Sequence, residues 1–465
     1  MRRVSAGMTV RRVVPATAAL AAVLVTFLLL YPVSTAAGAG PSAAVLGAVI
    51  ALGLARRPAP REHLHIAVEA LALPLVGLTA AGVGLLFMHL PLVAAALFTV
   101  ALAGSMWLRG LPGDARVVGR AIALPFIAML VVPSPVTAGS PLTGIGLALA
   151  AGLVALAVTW CVQRLLPGRS DSTDAPVTSG ATAAPRAATG TPHHVRAAVQ
   201  LGAALTLAFT FGFTLFPAHW PWIVLTAFIV TASTRGREDA LYKGLLRLSG
   251  AIAGTALALV LVLLPPMPGP AYATLIFVVL YAGLLLRESN YAYWAAATTA
   301  IFALLHNVQP GEPPAFWVRV LCIAIGACCG IASSFLVLPL RTRDVARKRL
   351  ADALAWFDRF ADAPDAARAA LARGARELSA LYPALALWQL VPGADGNDDA
   401  AAWARASASI LERASRPHST PSQDALVAAR LTRKAIRDRD GIAPALARLE
   451  QALREMRNEK VTPPP

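Results

Sequence analysis

The chain carries little charge for its length, and negative charge is the scarcest. Only 14% of its 465 residues are charged, with 25 Asp and Glu against 41 Lys and Arg, whereas 57% are apolar. The apolar residues form runs near the ~20 residues that cross a bilayer core. The sequence therefore predicts an integral membrane protein. In such a protein the formal charge of +16 largely reflects orientation in the membrane, and we expect no nucleic-acid partner.

Several kinds of chemistry leave no trace in the sequence. None of the four lysines precedes Ser or Thr, so the GxxxxGK[ST] loop of an ATP-hydrolysing protein is absent. Neither an HExxH motif nor a Gly-x-Ser-x-Gly elbow occurs. The cysteines lie in apolar stretches without a CxxC pair, which is typical of packing residues: Cys161, Cys322, Cys328 and Cys329. We expect no enzymatic activity, no metal and no cofactor.

Twelve apolar stretches are predicted to span the membrane. The first also has loose features of a cleaved signal peptide, but a corresponding stretch recurs at 196–216, where no signal could act. We therefore interpret it as the first span. The predicted spans are 13–31, 41–55, 65–88, 91–108, 119–133, 141–163, 196–216, 219–234, 246–265, 271–287, 291–307 and 316–338.

The positive residues agree with this threading. It places 19 of the 20 Lys and Arg residues before position 341 on one side of the membrane, which predicts that both termini are cytoplasmic. A Ser/Thr/Ala/Gly/Pro-rich segment at 166–195 indicates a flexible cytoplasmic linker between a first six-helix repeat at 1–165 and a second at 196–340. Because six is even, the repeats are predicted to be parallel rather than inverted.

After position 340 the sequence changes to an Ala/Arg/Asp/Glu-rich pattern. Apolar residues such as Leu350, Leu354 and Phe357 recur at helical spacing. Four stretches open near an acidic residue, which suits the positive end of a helix dipole. Residues 341–465 are predicted to form a cytoplasmic bundle of four or five helices, for which packing or dimerisation and a regulatory ligand site are the two roles left open.

One basic residue departs from the orientation rule. Arg319 lies just inside the outer end of the twelfth span, where an ionisable side chain costs about 3 kcal/mol. Its planar donors make it a candidate to bind an anionic substrate. An ion pair with Glu312, or extension of the side chain to the outer headgroups, is the structural alternative.

Other polar groups are also candidates for the site, and each has an ordinary structural explanation as its alternative. His306 and His219 lie on the outer side, where they either join Arg319 or mark the interface. Glu69, near the inner end of the third span, is a candidate for proton coupling, against an interfacial carboxylate that reaches water. Thr226 lies in the eighth span, where a hydroxyl often bonds its own backbone.

The second half also carries motifs of a known family. They are Trp220-Pro-Trp222-Ile-Val-Leu-Thr226, Arg235-Gly-Arg237, Arg247-Leu-Ser-Gly250-Ala-Ile-Ala-Gly254 and Arg287-Glu-Ser-Asn290-Tyr291, with Arg319, Gly326 and Pro339 further on. Together they resemble the fusaric acid resistance (FUSC) family, which includes aromatic acid exporters. The resemblance covers about 196–341. The chain departs from the family pattern at Ala251, where the family commonly has Thr.

The resemblance implies a permease of the bacterial inner membrane that exports aromatic or other small organic acids, in some cases with a periplasmic adaptor protein. It implies that Arg247 and Arg319 are the basic residues at the inner and outer ends of the substrate pathway, with Trp222 and Thr226 on the adjacent helix. Plant malate channels resemble the family too, so a passive organic-anion channel is the alternative. A non-transporting scaffold for envelope proteins is a third.

The sequence thus predicts an all-α membrane protein in which about twelve transmembrane helices form two parallel six-helix repeats, followed by a cytoplasmic helical bundle. Its predicted function is efflux of small organic acids without ATP hydrolysis by this chain. A basic inner loop with Arg235, Arg237, Lys243 and Arg247 is expected to draw the anion into the pathway. The lipid bilayer and an organic anion are the expected partners, and an adaptor protein and a second copy of the chain stay open.

Overall fold

The structure is a computed structural model that describes residues 2–56, 77–80, 82–131, 141–165, 192–232, 234–262, 268–307, 316–391, 399–416 and 421–459. Within these residues the regular structure is helical and no strand occurs. The predicted all-α class is therefore confirmed. Helices suit a bilayer because each one satisfies its own backbone N–H and C=O groups where no water is present to do so.

The described residues before position 341 contain twelve apolar helices. Their bounds are α1 (Arg2–Ala36), α2 (Ser42–Ala55), α3 (Gly77–His89), α4 (Pro91–Leu108), α5 (Asp114–Val131), α6 (Pro141–Leu165), α7 (His193–Leu215), α8 (Trp220–Ala232), α9 (Arg237–Val262), α10 (Gly269–Leu286), α11 (Tyr291–Asn307) and α12 (Phe316–Leu336). Seven of them are long and apolar enough to cross a membrane, and α2, α3, α5, α8 and α11 contain shorter apolar helices of 10–17 residues. The chain is therefore a multi-pass membrane protein, and the count of twelve spans stays a prediction.

The start of α9 differs from the sequence expectation. The predicted span began at 246, whereas α9 begins at Arg237. The prediction that Lys243 and Arg247 lie in a basic inner loop is therefore wrong, since both are helical residues. Glu238 and Asp239 in the first turn favour this earlier start, because acidic groups there interact favourably with the positive end of the helix.

The chain divides into two compact units. Within its described residues, the first unit contains α1 to α8, α9 from Lys243 onward, and α10 to α12. The second contains Thr234–Tyr242 and the described chain from Pro339 onward. Residues 166–191 of the predicted linker at 166–195 lie outside the described residues, and α7 already begins at His193.

Helix packing in the first unit follows the same scheme twice. Helices α1, α2 and α6 pack against one another, and so do α7, α8 and α12. Helix α4 packs on α5 and on α7, while α10 packs on α11 and on α1. Helix α9 approaches α11 closely, since Gly250 and Gly254 face the backbone of α11. Small residues permit this contact where apolar burial gives little driving force in lipid.

The second unit is built from amphipathic helices around one apolar core. They are α13 (Thr342–Leu354), α14 (Pro364–Gln389), α15 (Ala400–Ala414), α16 (Gln423–Asp438) and α17 (Ile442–Glu459), with a 3-10 turn at Phe357–Arg359. Leu350, Leu371 and Leu411 are fully buried within that core. The helices place their apolar residues on one face, which is the pattern expected of a water-exposed helical unit.

The first turns of α9 and α13, both in the second unit, form hydrogen bonds with each other. The N–H group of Thr342 donates to Glu238 Oε2 at 2.6 Å, and the N–H group of Asp239 donates to Thr342 Oγ1 at 3.3 Å. Both acidic residues are only 3% exposed. The first turns of α9 and α13 thereby gain partners for N–H groups that a helix leaves unpaired.

Candidate functional site

Helix α8 is the most completely enclosed apolar helix around the candidate site. Almost every residue from Trp222 to Thr231 is buried, because α7 and α12 pack on it. A helix that is apolar on all sides and buried on all sides normally has no use for polar groups. The polar side chains on α8 and on its neighbours are therefore the natural starting point for a site.

The first such group is an arginine stacked on a tryptophan. The guanidinium carbon of Arg319 on α12 lies 4.3 Å from the ring centroid of Trp222 on α8. Both residues are 7% exposed. The Trp222 ring also contacts Phe302 of α11, with the ring centroids 5.4 Å apart. A desolvated stack of this kind contributes about 2 kcal/mol through the ring quadrupole.

The second group is Arg247 on α9, which is 2% exposed. Its Nη1 donates to Thr298 Oγ1 on α11 at 3.2 Å. The Thr298 hydroxyl in turn lies 3.0 Å from the Trp294 carbonyl oxygen, to which it can donate. The Tyr291 hydroxyl also lies close to Arg247. Thr298 therefore helps to fix the position of the Arg247 guanidinium inside the unit.

Arg247 and Arg319, called the arginine pair from here on, lie close enough to interact electrostatically. Each retains a buried donor, Nε of Arg247 and Nη1 of Arg319, that has no hydrogen-bond partner among the described residues. No described carboxylate forms an ion pair with either one. Glu312, the alternative partner expected for Arg319, lies outside the described residues. Two buried cations with free donors form a site suited to an anion.

A third unpaired polar group lies one helical turn from Trp222. Thr226 is 1% exposed, and its Oγ1 has no partner among the described residues. Helix α12 approaches here without a side chain, because a Cβ atom on Gly326 would lie 2.8 Å from the Thr226 Cβ. This close contact joins α8, which carries Trp222, to α12, which carries Arg319.

The remaining predicted residues are placed less tightly. Lys243 is a half-buried residue of α9. Arg235 belongs to the second unit, where its N–H group donates to Asp239 at 2.8 Å. His306 lies on the last turn of α11, and Glu69 lies outside the described residues. His219 is half-buried in the turn before α8.

Sequence reasoning gave no role to Thr298, Tyr291 or Phe302. All three are on α11 and are separated by seven and four residues, so they share one face of the helix. That spacing was the available signal. The described residues contain no cluster of His, Cys, Asp or Glu that could hold a metal.

The chain is similar to known proteins over this region. Residues 203–333 match the family described as fusaric acid resistance protein-like. The chain is 33% identical over 162 residues to the p-hydroxybenzoic acid efflux pump subunit AaeB of Enterobacter cloacae, and 34% identical over 164 residues to that of Escherichia coli. Each match covers 31% of this chain and 24% of the relative, so the match spans about a quarter of the length of these curated relatives. No solved structure matches the chain.

The matched segment contains the arginine pair, Trp222, Thr226 and the face of α11 beside them. The resemblance inferred from the sequence motifs is thus confirmed where the site lies. Residues 203–333 are thus similar to the fusaric acid resistance protein-like family.

Proposed function

We propose that this chain is a transporter of the bacterial inner membrane that exports small organic acids, with the substrate carboxylate bound by the arginine pair. The observation that carries the proposal is the pair itself, two buried guanidinium groups with unpaired donors in an apolar unit. A carboxylate offers two acceptor oxygens to the donors of a guanidinium. A membrane protein would not be expected to keep such groups without a ligand or a counter-ion, because intramembrane charge is costly.

Aromatic acids are the substrate class that the surroundings favour. Trp222 and Phe302 lie beside Arg319 and offer ring surfaces against which a substrate ring gains contact. The two curated relatives are named for the efflux of p-hydroxybenzoic acid, which belongs to the same chemical class. Their name also calls them subunits of a pump, and we extend to this chain the hypothesis of an adaptor protein.

The proposed architecture has twelve spans in two parallel repeats. The twofold recurrence of helix packing supports it, since α1, α2 and α6 correspond to α7, α8 and α12. The contact of α4 with α7 likewise corresponds to that of α10 with α1. Parallel repeats of this kind are related by an axis along the membrane normal. The proposal keeps 166–195 as a linker and 341–465 as a cytoplasmic helical domain.

The proposed pathway is entered from the cytoplasm. Arg235 and Lys243 would raise the local concentration of the anion through long-range attraction, and His306 would lie toward the outer end. Uphill export requires a coupling group, for which Glu69 is the proposed candidate.

The test begins with a strain that lacks the gene, screened for growth against a panel of aromatic and aliphatic organic acids. The proposal expects increased sensitivity to at least one aromatic acid, restored by the intact chain. If no acid changes growth, a non-transporting scaffold is favoured instead.

A second arm uses the purified chain in proteoliposomes loaded with the acid that the screen identifies. Uphill export that depends on a proton gradient and is lost in Glu69→Gln supports coupled efflux. Strictly downhill, current-carrying flux that Glu69→Gln leaves unchanged would favour the passive anion channel.

A further inference from the structure

An organic substrate would balance the positive charge of the arginine pair only while it is bound. Both residues are at least 93% buried, and each has a donor without a partner among the described residues. An exporter passes through states in which no substrate is present. The charge of the pair must then be balanced in some other way.

The described chain offers no internal balance. The arginine side chain stays protonated at physiological pH. None of the described groups that approach the pair carries a negative charge: they are Thr298, Trp222, the Tyr291 hydroxyl and Cys322. The effective penalty for each uncompensated buried ion is several kcal/mol, so solvation by neutral groups alone leaves a large cost.

We infer that the arginine pair is a binding site for a monovalent inorganic anion of halide size, which occupies the site between transport events and is displaced by the organic carboxylate. The geometry favours a small spherical ion. The two donors belong to separate helices, α9 and α12, and a halide accepts hydrogen bonds from any direction, whereas a carboxylate presents its acceptors in one plane. Both guanidinium groups are also enclosed, so a small ion displaces fewer side chains than an aromatic acid.

The inference concerns the same site as the proposed function, and its consequence is competition. Halide and organic acid should bind in a mutually exclusive manner, so chloride should raise the apparent KM for the acid without changing the maximal rate. Binding is measured without transport, so that each of the two hypotheses can fail alone.

The experiment uses the full chain purified in detergent and titrated with chloride or bromide against methanesulfonate at constant ionic strength. Isothermal titration calorimetry should give saturable halide binding near one ion per chain, and benzoate should compete with it. Arg319→Gln and Arg247→Gln should each weaken halide binding about tenfold or more, since each removes a charge-assisted donor.

Arg164→Gln is the matched control. Arg164 also stacks on a tryptophan, Trp160, at 4.2 Å, but it is exposed at the end of α6. This variant should bind halide as the unmodified chain does. Equal loss in Arg164→Gln would show that the effect is a general response to surface charge and would overturn the inference.

Two other variants test the inference if an Arg→Gln variant fails to fold. Arg319→Lys keeps the charge but not the planar donors, so it should fold and bind halide more weakly. Glu312→Gln tests the internal alternative. If the unmodified chain binds no halide but Glu312→Gln does, Glu312 is the counter-ion and the inference is wrong. Halide binding without transport of any acid would leave the inference standing and refute the proposed function.

Discussion

The two units of this molecule use arginine in opposite ways. In the second unit, Arg430 and Arg433 both donate to Asp358 at 2.7 Å, and all three side chains remain in reach of water. In the first unit, the arginine pair is buried, and no described carboxylate contacts it. The first arrangement is common in soluble helical proteins, whereas the second is costly in a membrane.

The difference distinguishes charges that are paired within the protein from charges for which an anion is proposed. An exposed ion pair contributes about 0–1 kcal/mol and serves mainly to hold neighbouring helices in register. A buried cation without a partner lowers stability unless something else supplies the missing charge. The arginine pair is therefore better explained by an anion than by folding.

Stacking on tryptophan does not by itself make such a site. The Arg164–Trp160 stack on α6 and the Arg319–Trp222 stack have nearly equal distances, 4.2 and 4.3 Å. Arg164 is exposed and stacks within its own helix, whereas Arg319 is buried and stacks across two helices. Burial without a counter-charge is what distinguishes the two.

The largest expected effect follows from this contrast. Arg319→Gln should reduce transport of an aromatic acid at low concentration by about 10- to 100-fold, because a hydrogen bond to a charged group contributes about 1.5–3 kcal/mol. Arg164→Gln should stay within about twofold, since an exposed cation–π pair contributes less than ~1 kcal/mol. Initial rates in proteoliposomes measure both. Equal losses in the two variants would mean that burial does not set the role of Arg319.

Helix packing around the site should be the next most sensitive property. Gly326→Ala would place a Cβ 2.8 Å from the Thr226 Cβ and against the Ile223 carbonyl, which should cost about 1–3 kcal/mol by overpacking. Gly152 on α6 has nothing within 4 Å of such an atom. Gly152→Ala should therefore leave stability unchanged or raise it by up to about 1 kcal/mol.

Thermal unfolding of the full chain in detergent measures this difference as a shift in midpoint temperature. A drop in Gly326→Ala alone supports a tight α8–α12 contact. A similar midpoint for both variants would show that α12 can move away from α8 at little cost.

The sequence predicted the membrane class, most helix positions and one residue of the arginine pair by physical argument. Arg319 was found because it departs from the orientation rule, a signal that depends only on chain topology. Arg247 was reached through family resemblance, since a positive residue near an inner loop looked unexceptional. The residues that connect the two lie on one face of α11, and that role emerges only when helices separated in sequence are packed together.

The misplaced start of α9 has a similar cause. The stretch from Arg235 to Arg247 carries several charges, so hydropathy alone assigned it to a loop. The first turn of α9 is stabilised by Thr342, 103 residues later, because Thr342 Oγ1 accepts a hydrogen bond from the N–H group of Asp239. A helix start that depends on a partner so distant cannot be read from local sequence, because tertiary contacts override local pattern.

Two threonines on α8 test whether unpaired polar groups near the pair serve a ligand. Thr226 Oγ1 has no described partner, whereas the Thr231 hydroxyl donates to the Ala227 carbonyl at 2.8 Å. Thr226→Val should leave stability unchanged or raise it by up to about 1 kcal/mol, because a buried unpaired hydroxyl is removed. Thr231→Val should lower stability by about 0.5–1 kcal/mol.

Transport separates a ligand role from a packing role at this position. If the Thr226 hydroxyl donates to the anion, Thr226→Val should raise the KM by about threefold to tenfold, the loss expected for one hydrogen bond, with little change in kcat. An unchanged KM together with unchanged stability would assign Thr226 to packing.

The smallest effect is expected where charges are paired and exposed. The hydrogen bond donated by Arg454 lowers the pKa of Glu450 below its ordinary value of 4.5; partial burial opposes this shift, and a hydrogen bond donated by Arg413 lowers the pKa further. A carboxyl group with a lowered folded-state pKa stabilises the fold above its unfolded-state pKa, and this contribution disappears as the pH falls through the folded-state value.

Glu450→Gln should therefore destabilise the packing of α15 on α17 at pH 7 by no more than about 1 kcal/mol. The difference from the unmodified chain should shrink as the pH falls below the ordinary pKa of 4.5 and vanish once the pH has fallen through the lowered folded-state pKa of Glu450. Hydrogen–deuterium exchange of α15 and α17 in the full chain measures it, with Glu412→Gln as the control, since Glu412 on α15 forms no ion pair with the described residues. A destabilisation by Glu450→Gln of about 1.5–3 kcal/mol would equal the free-energy loss expected for transport in Arg319→Gln. Paired surface arginines would then matter as much as buried unpaired ones, and the contrast between the two units would no longer identify the anion site.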